Sequence, residues 1–292
     1  MNHENGVASV AGRDVSLRLY GPPTGLPVVC QYGSPGTSLL SPRQISAVER
    51  AGVRLLVVDR PGYGASTRRA GRRVADVVAD VSTVVDDLGW DRFAIWGGSG
   101  GGPHALACAA ALPQRVSRCA SVVGPAPFDA VGLDWFAGMS EGNVKEFRLA
   151  QRGELAYRPL VEKLAADAVS AAAAGDIQVA AEYQLADSDI EALKARTTEE
   201  GYLARVQAAF GDGMDGWIDD CIAMVRPWGF DLASISVPVN VWYGADDVLV
   251  PGGHSEYLAR AIPNSHRALL SGGHVLNDED FDAIYAWLTD CQ

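Results

Sequence analysis

The chain has 292 residues, 48% apolar and 21% charged, which supplies enough apolar material for a large buried core and lies far from a disordered composition. Its net charge of −12 works against nucleic acid and against an anionic membrane surface, since both attract basic side chains. No window approaches the ~18 apolar residues of a spanning helix, and the Ala-rich stretch 165–174 is interrupted by Asp167 and Ser170. The expected partner is a small-molecule substrate, with no nucleic acid and no membrane; a homodimer is left open.

Residues 7–20 alternate like a hairpin turning at 11–14, until Gly21-Pro22-Pro23 breaks the pattern. The runs 27–32 and 53–58 are short, apolar and β-branched, the mark of parallel strands buried on both faces. Helical segments over 41–50, 74–88 and 103–111 alternate with them, and 93–96, 120–123, 237–243 and 267–270 supply further strands. Repeated βαβ units predict one twisted sheet with right-handed crossovers. From 127 to 230 the strand signal vanishes and Glu- and Ala-rich helical stretches follow one another, so a helical insertion is expected between two strands, over their carboxyl ends.

Gly97-Gly98-Ser99-Gly100-Gly101 lies between a strand and a helix, the setting of a G-x-S-x-G nucleophile elbow. The turn is sharp enough to need glycine two positions either side of the serine, and the helix N-terminus favours negative charge. Gly100-x-Gly102-x-x-Ala105 also fits a dinucleotide fingerprint, but the next strand ends in Gly124-Pro125 with no acidic residue for a ribose. No Lys-Ser or Lys-Thr follows the glycines, which excludes a P-loop.

A serine hydroxyl needs a base, and histidine is the natural one near neutral pH. His3 lies near the N-terminus, His254 and His266 lie in or beside the helix 251–263, and His104 sits in the helix after Ser99, where packing is the expected role. His274, in Ser271-Gly272-Gly273-His274, follows the last strand at its carboxyl end and is the candidate base. Asp246 and Asp247 compete as the orienting acid after the strand 237–243, with Asp129 as an outside candidate.

With these residues in place the chain resembles a capped α/β-hydrolase of bacterial type over nearly all its length, and the chain order serine, aspartate, histidine is that family's. In the family the acid stands four residues before the proline of a G-x-x-D-x-x-x-P run. Here that run maps onto Gly244, Asp247 and Pro251, so the resemblance selects Asp247. Asp59-Arg60-Pro61-Gly62-Tyr63-Gly64-Ala65-Ser66 is similar to the family's D-x-x-G-x-G-x-S loop, and Arg226-Pro227-Trp228-Gly229-Phe230 to a cap-to-core junction of many bacterial members. Members usually carry H-G-x-P after the third strand, whereas this chain reads Tyr32-Gly33-Ser34-Pro35, with Tyr32 in place of the histidine. The resemblance implies an α/β-hydrolase fold with a mostly parallel eight-stranded sheet flanked by helices. It also implies a core of residues 1–126 and 231–292, a helical cap over 127–230, and an oxyanion hole from the backbone N–H groups of Ser34 and Gly100. A cis bond before Pro35 is a further family feature.

The expected catalytic residues are Ser99, Asp247 and His274, acting by acyl transfer. No metal and no organic cofactor is expected, because these groups supply nucleophile, base and charge stabilisation. A serine at the elbow argues against haloalkane dehalogenases and epoxide hydrolases, which place a carboxylate there. A carboxylesterase-like reaction on a small, partly apolar substrate leads. Thioesterase and carbon–carbon bond hydrolase are alternatives, as is a hydrolase-like binding or signalling protein without turnover. In the insertion, Trp135, Phe136, Met139, Trp217 and Trp228 are candidates to line an apolar pocket, while Asp219 and Asp220 read as a solvated helix face ahead of a cap–core contact. Five scattered cysteines, Cys30, Cys108, Cys119, Cys221 and Cys291, form no Cys-x-x-Cys pair and suggest a reducing cytoplasm. The first residues lack a basic segment followed by an apolar one, so no secretory signal is expected.

Overall fold

Apolar runs become strands and glycines end them. In a computed structural model of the chain, which describes residues 3–177 and 181–290, an N-terminal hairpin pairs β1 (His3–Val10) with β2 (Arg13–Tyr20). Its turn is tighter than the expected 11–14: Ala11 and Gly12 alone make it, both at positive φ, as two-residue hairpin turns require. The strands β3 (Leu26–Gln31), β4 (Val53–Val58), β5 (Phe93–Gly98), β6 (Val116–Val122), β7 (Val239–Tyr243) and β8 (Ser265–Leu269) follow. They form one eight-stranded sheet in the order β1-β2-β4-β3-β5-β6-β7-β8. Only β2 runs antiparallel to its neighbours; every other pairing is parallel.

Period-two alternation divides the apolar side chains between two faces. Val29, Leu56, Ile95, Cys119 and Val241 point to one face, where they are covered by α2 (Val77–Asp87), α3 (Gly102–Ala111) and α9 (Gly252–Ala261). Val28, Cys30, Leu55, Val57, Trp96 and Val122 point to the other, against α1 (Pro42–Ala51) and α10 (Asp278–Thr289). Both α1 and α10 begin with capping boxes, Ser41 with Gln44 and Asn277 with Asp280, so the sequence itself marks where they start. The helix expected over 74–88 opens instead as a 3₁₀ turn, Val74–Asp76, before α2.

Between β6 and β7 the chain is helical: α4 (Glu141–Gln151), α5 (Glu154–Ala173), α6 (Asp187–Thr197), α7 (Tyr202–Val206) and α8 (Met214–Met224). These helices share a core of their own, built on Tyr157, Val161, Trp217, Ile218 and Met224. Among the described residues no helix is long and apolar enough to cross a membrane. Cys30, Cys108, Cys119 and Cys221 are buried free thiols, and Cys291 lies outside the described residues. Because β3, β5, β6, β7 and β8 are parallel, the loops leaving their carboxyl ends gather on one edge, where open α/β sheets place their sites.

Candidate active site

The elbow is dictated by steric room. A Cβ on Gly97 would stand 2.1 Å from the Gly101 carbonyl oxygen, and one on Gly101 would stand 2.0 Å from that of Gln31, so neither position accepts a side chain. Between them Ser99 has φ 51°, in the left-handed region, at the junction of β5 with the helical turn that leads into α3. Its hydroxyl projects from the turn toward His274, which the loop after β8 presents.

Ser99 Oγ lies 3.0 Å from His274 Nε2, and His274 Nδ1 lies 2.8 Å from Asp247 Oδ2. A carboxylate only accepts, so Nδ1 carries the proton and Nε2 is left to accept from the serine hydroxyl. The other oxygen of Asp247 accepts the backbone N–H groups of Leu249 and Val250, both at 2.8 Å, which fixes the carboxylate's direction. Burial alone would lower the His274 pKa. The charge and hydrogen bond of Asp247, with the charge of Asp189 added, outweigh it and hold the imidazole above its ordinary value.

The remaining acids and bases stand elsewhere. Asp246 and Asp129 are exposed, as is His266. His104 is fully buried with Nδ1 on the Gly100 carbonyl at 2.8 Å, and burial pushes its pKa down to about 3. His254 accepts the Ala126 N–H and is pushed down to about 4 by burial. Both imidazoles are therefore neutral packing groups at neutral pH. His3 opens β1, on the antiparallel side of the sheet.

The loop after β3 brings Ser34 to the elbow. A Cβ on Gly100 would lie 2.5 Å from Ser34 Oγ, so the two residues touch, and the Ser34–Pro35 bond is cis. Tyr32 keeps its side chain against α1, where its hydroxyl accepts from Gln44 Nε2 at 2.6 Å. Arg60, from the D-x-x-G-x-G-x-S loop, donates to the carbonyls of Tyr32 (2.5 Å) and Gly33 (3.0 Å). It is paired in turn with Asp220 of α8 at 2.6 Å, and Asp220 also takes Arg72 at 2.5 Å, the Ser34 hydroxyl at 2.5 Å and the Tyr63 hydroxyl at 3.0 Å.

The expectation that Asp219 and Asp220 face solvent is thus incorrect: both are buried, and Asp219 pairs with Arg68 at 2.9 Å. Sequence reading missed this because the partners are arginines some 150 positions upstream. Burial would raise the Asp220 pKa, but Arg60 and Arg72 prevail and hold it well below the carboxylate range. A third carboxylate of this helical stretch, Asp189 in α6, is fully buried and accepts the backbone N–H groups of His274 (3.1 Å) and Val275 (2.8 Å). In sequence Asp189 looks like an ordinary first-turn acid of a helix. Nothing local signals that it reaches a loop 85 positions downstream.

A cavity of about 470 Å³ opens over Ser99 and His274, walled by core loops and by the insertion. Of the aromatic and thioether candidates, Trp217 lines it. Trp135, Phe136 and Met139 pack in the insertion's core and Trp228 in the main core, stacked on Phe230, all away from the cavity wall. Glu146 also lines the cavity; its oxygens accept the hydroxyls of Tyr157 (2.6 Å) and Tyr183, and burial pushes its pKa up. Among the described residues no three His, Cys, Asp or Glu side chains are grouped to hold a metal ion.

Known proteins share this architecture. A family model for the α/β hydrolase fold matches residues 27–281. Epoxide hydrolase B of Mycobacterium tuberculosis is 33% identical over 119 residues, a stretch covering 39% of this chain and only 33% of that enzyme. A 2-hydroxy-6-oxononadienedioate/2-hydroxy-6-oxononatrienedioate hydrolase of Cupriavidus pinatubonensis is 27% identical over 254 residues, covering 85% of this chain and 79% of that enzyme. An esterase from Exiguobacterium antarcticum matches in structure with a TM-score of 0.71 at 18% identity, covering 98% of this chain and 100% of that one, which is a likeness of fold. On the strength of the family match, the chain belongs to the α/β hydrolase fold family.

Proposed function

We propose that the chain is a serine hydrolase that cleaves an ester-like or activated carbonyl bond of a small, partly apolar substrate through an acyl-enzyme. One observation carries the reading: the unbroken hydrogen-bond relay from Ser99 Oγ through His274 to Asp247, at 3.0 and 2.8 Å. Ser99 attacks the carbonyl carbon as His274 Nε2 takes its proton, and Asp247 stabilises the imidazolium that forms. The negative charge that develops on the carbonyl oxygen is met by the backbone N–H groups of Ser34 and Gly100, a role supported by the close approach of the Ser34 side chain to Gly100; one such donor is worth about 100- to 1,000-fold in rate. His274 returns its proton to the leaving group, and water activated by the same imidazole releases the acid.

The insertion, residues 127–230, acts as the cap. Leu164, Phe210, Trp217 and Met224 give the cavity an apolar roof, which supports a substrate with an apolar portion. The buried free thiols fit a reducing cytoplasm. The reading is tested with an activated short-chain aryl ester. Wild type is expected to show a burst of aryl alcohol equal to the enzyme present and to be labelled by a fluorophosphonate, and Ser99→Ala is expected to lose both. Undiminished turnover by Ser99→Ala overturns the assignment. Labelling of the wild type without turnover on an ester panel would instead favour a binding protein.

A further inference from the structure

One cavity wall runs opposite in charge to the chain as a whole. The chain carries a net −12, yet a second cavity of about 270 Å³, adjoining the first, is lined by Arg43, Arg196 and Arg205, with Glu199 the one carboxylate in its wall. Tyr32, Gln44, Arg196 and Phe210 line both cavities. Two of the three guanidiniums are already matched: Arg205 pairs with Glu199 at 2.9 Å, and Arg43 lies 3.6 Å from Glu199 and 3.3 Å from Asp278. The acids of the first cavity are engaged as well, Asp167 by Lys163 and Glu146 by two tyrosine hydroxyls. Arg196 is the exception. Its one side-chain hydrogen bond among the described residues is Nη2 to the Leu276 carbonyl, 3.1 Å, and its guanidinium has no ion-pair partner there.

We propose that Arg196 is the anchor of a carboxylate-binding site inside the cavity, and that the substrate is a hydrolysable acyl compound with a free carboxylate at one end. The inference rests on the hydrolase reading for its reaction and on the arginine for its selectivity. A half-buried guanidinium keeps four of its five N–H donors for a planar anion, and a carboxylate fits that fork with two parallel bonds. The single unmatched positive charge suits a singly charged group. Apolar walls strengthen the attraction by lowering the local dielectric. Position favours a short spacer: the carbonyl that Arg196 holds belongs to Leu276, two residues from His274, so the anion would sit near the reacting centre.

The test compares two ester series of increasing spacer length with neutral esters of matching length. Aryl hemiesters of dicarboxylic acids carry the carboxylate on the acyl side, and ω-acetoxyalkanoates carry it on the alcohol side. In one series, at one spacer length, kcat/KM is expected to exceed that of the neutral partner by at least about tenfold. Arg196→Gln should reduce that ratio by at least about tenfold and Arg196→Lys should retain part of it, as a charge-assisted bond predicts. Independently, calorimetry on Ser99→Ala compares binding of monomethyl and dimethyl esters of the same dicarboxylic acids, with tighter binding of the monoanion expected and its loss on adding Arg196→Gln. Turnover with no preference for the anion in rate or in binding, or a preference that Arg196→Gln leaves intact, overturns the carboxylate site. Anion-selective binding without turnover of either series keeps the site and overturns the hydrolase reading.

Discussion

His274 is pulled in two directions, and the balance has a measurable sign. Burial disfavours the imidazolium, whereas Asp247 and, more distantly, Asp189 favour it and win. The proposed base acts as the neutral imidazole, so the proposed activity should be lost as pH falls through a pKa that stands above the ordinary histidine value. The acid limb of kcat/KM is expected to have its midpoint above about 6.5. Asp247→Asn removes the largest of the raising influences and the acceptor that fixes the Nδ1–H tautomer. That variant should lower kcat by about 10⁴-fold, the magnitude expected when a triad histidine is left in the wrong tautomer, and move the acid limb to lower pH. A variant whose limb stays in place would show that Asp247 does not act through the imidazole. Asp246, one position away and exposed, is expected to tolerate the same change.

Among the elements, α6 and α8, between β6 and β7, do more than line the cavity. Asp189 of α6 holds the backbone at His274, and Asp220 of α8 holds Arg60, which in turn holds the carbonyls of Tyr32 and Gly33. The two loops that carry His274 and Ser34 are thus fastened by carboxylates that water does not reach. Removing one partner of a buried ion pair strands the other, so Asp220→Asn is expected to cost about 3–5 kcal/mol of stability. The cost depends on pH in a defined direction. The folded pKa of Asp220 is depressed, so its contribution is full above the unfolded value near 3.9 and fades as pH falls below it. The gap in melting temperature between wild type and Asp220→Asn should therefore narrow between about pH 5 and pH 3, and a gap that is constant over that range would contradict the ion-pair account. These fastenings were illegible in the sequence. Helical periodicity assigns Asp219 and Asp220 to a helix, but the arginines that bury them come from a loop of the core, and only the folded chain brings the two together.

For the molecule as a whole, legibility follows how local the determinants are. Buried strands announce themselves by short, mostly apolar, valine-rich runs, such as Val53–Val58, and the elbow by glycines whose absence of Cβ is a steric necessity at Gly97 and Gly101. The cavity wall is less legible, because Trp135 and Trp228 are as apolar as Trp217 and only packing decides that the first two fill cores. Arg196 shows nothing unusual in sequence; its proposed role comes from a guanidinium without an ion pair among the described residues. The backbone at Ser99 has one further consequence. A non-glycine residue held at φ 51° carries strain of about 1–3 kcal/mol, while glycine there would add about 0.4–1 kcal/mol of unfolded-state entropy. Comparing Ser99→Gly with Ser99→Ala isolates the backbone, since both lack the hydroxyl, and the glycine variant should melt about 2 °C higher. Equal or lower melting of the glycine variant would show that the turn is relaxed. If the difference appears, the chain gives up durability at the position proposed for its nucleophile, and a more stable version is one without the reactive group.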